Sequence, residues 1–147
     1  MSSRLFQEIR ERRGLAYSVY SYRSAFEETG LWGIYAGSSP GNVHRVLELA
    51  NAELDRLVEK GVTAAELARA KGHMKGGVVL GLEDPSSRMT RLGKSELMHG
   101  EILSVDDLIE RVDSVALEDV LRVATDLLAE PKRVLAVVGP FEGSDFK

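Results

Sequence analysis

Two β-strand patterns separated by a turn are the feature that most constrains the fold of this chain. From Leu15 to about Ser24, the tyrosines and Val19 suit the pleated surface of a strand. The motif "EETG" interrupts this run, and "LWGIYAG" then resumes it. The sequence therefore predicts an antiparallel hairpin near its beginning.

Helical patterns lie on both sides of the hairpin. Before it, Leu5, Phe6 and Ile9 are at helical spacing, and Gly14 is a natural stop. After it, capping and turn signals predict five helices. Their start signals are Ser39 with Pro40, Thr63 with Glu66, Asp84 before Pro85, Ser104 with Asp107, and Leu117. Four ends are predicted at Gly61, His99, Val112, and Leu128 before Pro131, and the double glycine Gly76 and Gly77 is expected to weaken the far end of the second helix.

A third strand is predicted near the end of the chain, where "RVLAVVG" at 133–139 is a short continuous apolar run. A hairpin and one further strand make a smaller sheet than most two-layer α+β folds have. We therefore predict an α+β two-layer sandwich, a mostly antiparallel sheet with helices packed on one face, that lacks an N-terminal strand and part of its first helix. Because no repeat or linker interrupts the sequence, residues 1–147 are expected to form one domain, truncated at its N-terminus.

Composition excludes several classes of function. The net charge of −4 has the wrong sign for a domain that binds a phosphate backbone, so no nucleic-acid partner is expected. No apolar run approaches the roughly 20 residues of a membrane helix. The chain has no cysteine, which removes thiolate nucleophiles and sulfur-rich zinc sites. We expect a folded protein without a membrane partner, and the cytoplasm as its compartment.

Motifs for a complete catalytic centre are absent from the sequence. The three histidines, His44, His73 and His99, are too far apart along the chain for two of them to bind zinc from one helix. No Gly-x-Ser-x-Gly motif supplies a serine nucleophile, and "GHMKGG" lacks the order of a phosphate-binding loop. We predict no metal site in this chain.

Arg10 and Tyr17 are the candidate catalytic and substrate-binding residues. A turn at Gly14 would fold the helix end back beside the start of the strand and bring the guanidinium near the phenol. An arginine offers several fixed donors to a carbonyl, and a tyrosine hydroxyl can donate to a developing oxyanion. The residues alone leave another reading open, in which the arginines are solvated and Tyr17 packs within the strand.

Three separated segments carry a resemblance to a known family, and together they span nearly the whole chain. "SSRLFQEIRERRGLAYSVYSY", "GLWGIYAGSSP" and "RAKGHMKGGVVLGLEDPSSRMTRLGKSELMHGE" resemble the C-terminal half of the pitrilysin or insulinase-like zinc metallopeptidases, in the branch of mitochondrial processing peptidase and its bacterial relatives. The resemblance implies a zinc-dependent endopeptidase built from two homologous halves. Zinc is then expected in the N-terminal half, which is the partner of this chain.

The resemblance also implies roles for the two candidate residues. Arg10 and Tyr17 match an arginine and a tyrosine, seven positions apart, that contact the peptide substrate, whereas Tyr20 and Tyr22 are expected to pack. Because the zinc motif is absent here, the chain alone is expected to be inactive. A bacterial cytoplasm is taken as the default location, and self-association is expected from the unpaired strand edges of a sheet that lacks a strand.

Two other readings remain open at this point. The chain could be a non-catalytic structural homologue, similar to the scaffold subunits of respiratory complexes that resemble these peptidases. It could also be a free-standing binding module unrelated to proteolysis. Retention of both Arg10 and Tyr17 favours the peptidase half.

Overall fold

A computed structural model describes residues 2–129 and 133–146, apart from the side chain of His99. A π-helical turn, Phe6–Glu11, precedes the first strand, and a 3₁₀ turn, Pro40–Asn42, precedes the first long helix. The strands are β1 (Ala16–Ala25) and β2 (Gly30–Ser38), and the helices are α1 (Val43–Lys60), α2 (Ala64–Gly81), α3 (Pro85–His99), α4 (Val105–Ser114) and α5 (Leu117–Leu128). The α+β class and the order of elements up to Leu128 are as the sequence predicts.

The described chain falls into two compact units. One comprises the residues up to Glu59 together with those from Asp126 onward, and the other is Lys60–Thr125. We still predict that both units belong to a single domain. None of the described helices is long and apolar enough to cross a membrane.

The core of the first unit lies between the hairpin and the helical elements beside it. β1 and β2 pair antiparallel, with Val19 opposite Ala36. Ile9 from the π-helical turn is fully buried against Ala16, Val19 and Val46, the last of which belongs to α1. These apolar contacts hold the π-helical turn and α1 against one face of the hairpin.

Capping explains where the helices of the second unit begin, as the sequence predicts. Thr63 and Glu66 form a capping box at α2, and Ser104 and Asp107 form another at α4. The carboxylate of Asp84 accepts from the N–H of Ser87 at 2.7 Å and opens α3. Each cap satisfies N–H groups that have no partner within the helix.

The helix ends differ from the sequence prediction in two helices, α2 and α4, and α4 runs to Ser114 instead of Val112. α2 continues through Gly76 and Gly77 to Gly81, although the double glycine was expected to weaken it. α5 ends at Leu128, and Pro131, its predicted stop, lies outside the described residues.

The third strand predicted at 133–139 is wrong in this structure. No strand is assigned at these positions, and Val134 and Val138 are 97% and 101% exposed. A single extended segment is stable only when a neighbouring strand pairs with its backbone N–H and C=O groups. In the described residues, the sheet contains only β1 and β2, so this segment has no strand to pair with.

Candidate functional site

A tight passage from helix to strand places the two candidate residues. The π-helical turn Phe6–Glu11 belongs to a rare class that is frequent at functional sites. Gly14 follows with a φ of +62°, which glycine adopts at little cost, and its N–H donates to the carbonyl of Arg10 at 2.9 Å. The N–H of Leu15 donates to the carbonyl of Ile9 at 3.0 Å. The chain thus turns back, and β1 begins beside the last helical turn, as the sequence predicts.

A β-bulge at the start of β1 turns Tyr17 outward. The register shifts by one position between Ala16 and Ser18, and Tyr17 has no Cα partner in β2. Ala16 and Val19 are three positions apart yet both buried, which the strict alternation of a regular strand would not allow. Bulges reorient side chains in this way and are enriched beside active sites. Tyr17 is consequently 86% exposed instead of packing in the sheet.

The structure brings Arg10 and Tyr17 together. The guanidinium carbon of Arg10 lies 5.7 Å from the centroid of the Tyr17 ring and 4.9 Å from that of Phe6. Both distances are within the range of a cation–π contact. Arg10 is itself exposed, so its donors remain accessible while the two rings limit its side-chain freedom.

The other two arginines of this turn are held by an acid that the sequence reasoning missed. Arg12 and Arg13 each form an ion pair with one oxygen of the Glu8 carboxylate, and Arg13 Nη1 also donates to the Glu8 backbone carbonyl at 2.7 Å. The pKa of Glu8 is lowered, and the largest cause is the hydrogen bond from Arg13. Burial raises this pKa, but the charges of Arg12, Arg13 and Arg56 lower it further. The four-residue spacing of Glu8 and Arg12, typical of helical ion pairs, could have indicated this contact.

Comparison with protein families places this turn within a known domain. A family model described as the peptidase M16 inactive domain matches residues 1–74, just over half of the 147 residues. The chain belongs to the peptidase M16 family. The resemblance to pitrilysin-like zinc peptidases is thereby confirmed, and the matched region contains Arg10, Tyr17 and Glu8.

Relatives of this M16 chain are longer proteins. A protein of Streptomyces coelicolor described as an uncharacterized zinc protease is 54% identical over 142 residues, a match that covers 97% of this chain and 31% of that protein. A Bacillus subtilis protein of the same description is 41% identical over 140 residues, or 95% of this chain and 34% of that protein. The chain therefore spans about a third of the length of the relatives it matches.

A solved structure has the same fold. A protease from Helicobacter pylori aligns with a TM-score of 0.70 and 25% identity, over 85% of this chain and 30% of that one. The α+β fold predicted from the sequence is confirmed by this similarity.

The described part of this M16 chain has no residues arranged to hold the zinc that the descriptions of its relatives name. No group of three or more His, Cys, Asp or Glu side chains there is close enough to bind a metal ion. His44 stacks on Phe146 with 5.0 Å between ring centroids, and His73 lies on α2. The side chain of His99 is outside the description. The residues described do not fit a zinc site.

The remaining tyrosines of the hairpin contact one another. Tyr20 stacks on Tyr35 with ring centroids 5.1 Å apart, and Tyr22 lies 6.3 Å from Tyr20. Gly33 leaves room for the Tyr22 ring, since a Cβ at Gly33 would come within 3.0 Å of it. These ring contacts agree with the packing role expected for Tyr20 and Tyr22, although both remain partly exposed.

Proposed function

We propose that this chain is the substrate-facing, non-zinc-binding half of a zinc-dependent endopeptidase. The observation that carries the proposal is the pairing of Arg10 with an outward-turned Tyr17 at one exposed turn. The packing of a regular strand does not require an exposed phenol beside a guanidinium. Membership of the M16 family supports the same assignment.

Arg10 and Tyr17 have complementary roles in this proposal. The planar guanidinium of Arg10 donates to a carbonyl of the bound peptide and fixes its position. The Tyr17 hydroxyl donates to the oxygen that becomes negative when the scissile carbonyl turns tetrahedral. Because charge develops only in the transition state, this second donor accelerates the reaction rather than strengthening ground-state binding.

The partner in this proposal is an N-terminal half that carries the zinc. The matched relatives are about three times as long as this chain, which leaves room in them for such a half. Zinc supplies an activated water and a Lewis acid when bound there. We place the assembled enzyme in a bacterial cytoplasm, and the bacterial origin of the matched relatives supports the bacterial part of this proposal.

Reconstitution tests the proposed function. The chain alone is expected to cleave no peptide and to retain no stoichiometric zinc after dialysis, whereas mixing it with its zinc-binding half should restore turnover of an unstructured peptide. The reason is that the described residues supply donors to the substrate but no metal ligands. Turnover by the chain alone, or by the zinc-binding half equally well with and without it, would contradict the proposal.

A structural role is an alternative that the sequence left open. The fold aligns with a chain of complex III2 from Candida albicans with a TM-score of 0.75 at 24% identity, over 86% of this chain and 30% of that one. This similarity concerns the fold alone. A non-catalytic scaffold would need neither the exposure of Tyr17 nor its contact with Arg10, so their arrangement favours the peptidase half.

Self-association of the isolated chain is also part of the proposal. Segment 134–139 is apolar and mostly exposed, and among the described residues it pairs with no strand, while β1 and β2 pair only with each other. Pairing between two copies would satisfy both sets of backbone groups. We expect sedimentation velocity to show dimer growing with concentration, and a Val134→Lys/Val138→Lys variant to remain monomeric because charge on an edge opposes pairing.

The control for this experiment is Val79→Lys/Leu80→Lys, which places the same two charges on exposed apolar positions of α2. It should dimerise like the wild-type chain. A wild-type chain that stays monomeric across the concentration range would refute the self-association.

A further inference from the structure

One acid organises a turn that contains three arginines. Glu8 lies two positions before Arg10, and Arg12 and Arg13 follow. Of the three guanidiniums, that of Arg10 contacts the Tyr17 ring, while those of Arg12 and Arg13 pair with Glu8. The three arginines of the turn therefore have two different environments: Arg10 contacts an aromatic ring, and the other two pair with a carboxylate.

The contacts of Glu8 enclose the segment that carries Arg10. Arg13 Nη1 binds both the carboxylate and the backbone carbonyl of Glu8, the latter at 2.7 Å. This bond joins residue 8 to residue 13 and so closes a loop with Arg10 inside it. It also satisfies a carbonyl near the end of the π-helical turn, where regular helical partners run out. The Glu8 side chain is only 17% exposed, so its position is defined by its surroundings.

Charge gives the same acid a second effect. Arg10, Arg12 and Arg13 repel one another at this turn, and of its two acids, Glu8 and Glu11, it is Glu8 that pairs with Arg12 and Arg13. The Glu8 carboxylate uses one oxygen for Arg12 and the other for Arg13. Glu8 thus pairs with the guanidiniums of Arg12 and Arg13, which would otherwise compete with Arg10 for a peptide carbonyl.

We propose that Glu8 is a positioning residue, which holds Arg12 and Arg13 so that Arg10 alone faces Tyr17 and the substrate. This inference rests on the proposed function, because it assigns Glu8 an effect on turnover that acts through Arg10. Glu8 itself touches no reacting atom. Its contribution should therefore disappear when Arg10 is removed.

A double-mutant cycle in the assembled enzyme tests the inference. Glu8→Gln should lower kcat/KM by about 10-fold to 100-fold, which is the loss expected when a side chain that binds the substrate is displaced by about 1 Å. In an Arg10→Ala background, the same substitution should cause no further loss, because residues that act as a unit are not additive. A purely structural role would instead lower activity in both backgrounds and lower the thermal midpoint in parallel.

Glu11→Gln is the matched control, since Glu11 is an exposed acid at the end of the same turn and the substitution makes the same change in charge. It should leave kcat/KM unchanged. If Glu8→Gln does not fold, Arg13→Gln, which removes the bonds of Arg13 to the carboxylate and the backbone carbonyl of Glu8 and so opens the loop around Arg10, enters the cycle in its place.

The outcomes separate this inference from the proposed function. If Arg10→Ala slows turnover but Glu8→Gln does not, or if their effects add, the positioning role is overturned and the proposed function stands. If Arg10→Ala leaves turnover unchanged, the proposed function fails and the inference fails with it.

Discussion

Tyr17→Phe is expected to lower the kcat of the assembled enzyme by about 10²-fold to 10³-fold with little change in KM. The substitution keeps the ring that contacts Arg10 and removes only the hydroxyl. A donor to the developing oxyanion is used in the transition state and hardly at all in the ground state, so its loss appears in kcat. Steady-state kinetics on one peptide, with the zinc content of both enzymes measured, checks this expectation.

Tyr20→Phe is the control for Tyr17→Phe. It removes a hydroxyl three positions away in β1, from a ring that stacks on Tyr35. Because ring stacking does not require the hydroxyl, this variant should turn over like the wild type. Equal kcat for the wild type and Tyr17→Phe would leave Tyr17 as a packing residue.

Arg10→Ala is expected to lower kcat and raise KM together, with a combined loss in kcat/KM of about 100-fold, as for a lost hydrogen bond to a charged group. Arginine holds the substrate carbonyl before and during the reaction, so both parameters respond. Arg10→Lys keeps the charge but loses the planar arrangement of donors, so its kcat/KM should lie between those of the wild type and of Arg10→Ala. The same steady-state kinetics, extended to high peptide concentration, separates kcat from KM.

Arg45→Ala provides the control for charge and bulk, because Arg45 is exposed on α1 and pairs with Glu48. It should not change either kinetic parameter. If Arg10→Ala and Arg45→Ala have the same kinetics, Arg10 does not grip the substrate.

Local signals in the sequence were sufficient to predict the hairpin and the helix starts. The "EETG" motif at 27–30 leads from the end of β1 at Ala25 to the first residue of β2 at Gly30. Asp84 caps α3, and the capping box of Thr63 opens α2. These features depend on hydrogen bonds between residues that are close in sequence, which is why short motifs specify them.

Features that depend on geometry beyond a few residues were not predictable in this way. The apolar spacing in a six-residue segment such as Phe6–Glu11 is the same for a π-helical turn as for an α-helix, so the sequence does not tell the two apart. The bulge at Tyr17 appears only when the strand partners are known. The apolar run at 133–139 reads as a strand, but strand formation requires a partner, and in the described residues none pairs with it.

The candidate site was partly predictable for the same reason. Spacing around Gly14 indicated that Arg10 and Tyr17 would meet, and the structure places them in contact. The roles of these two residues came from the family resemblance and stay predictions. The spacing of Glu8 and Arg12 indicates one ion pair, but no sequence signal indicates the second contact, which Arg13 makes from five positions away.

The most direct measurement of the central claim is the turnover of the zinc-binding half mixed with saturating amounts of either the wild-type chain or its Arg10→Ala/Tyr17→Phe variant. Both chains should associate equally with the zinc-binding half, which a sedimentation or mass-photometry control establishes. The account predicts that the wild-type chain restores peptide cleavage and that the double variant, although bound, does not. Equal turnover with both chains would contradict the claim that Arg10 and Tyr17 are this chain's contribution to catalysis.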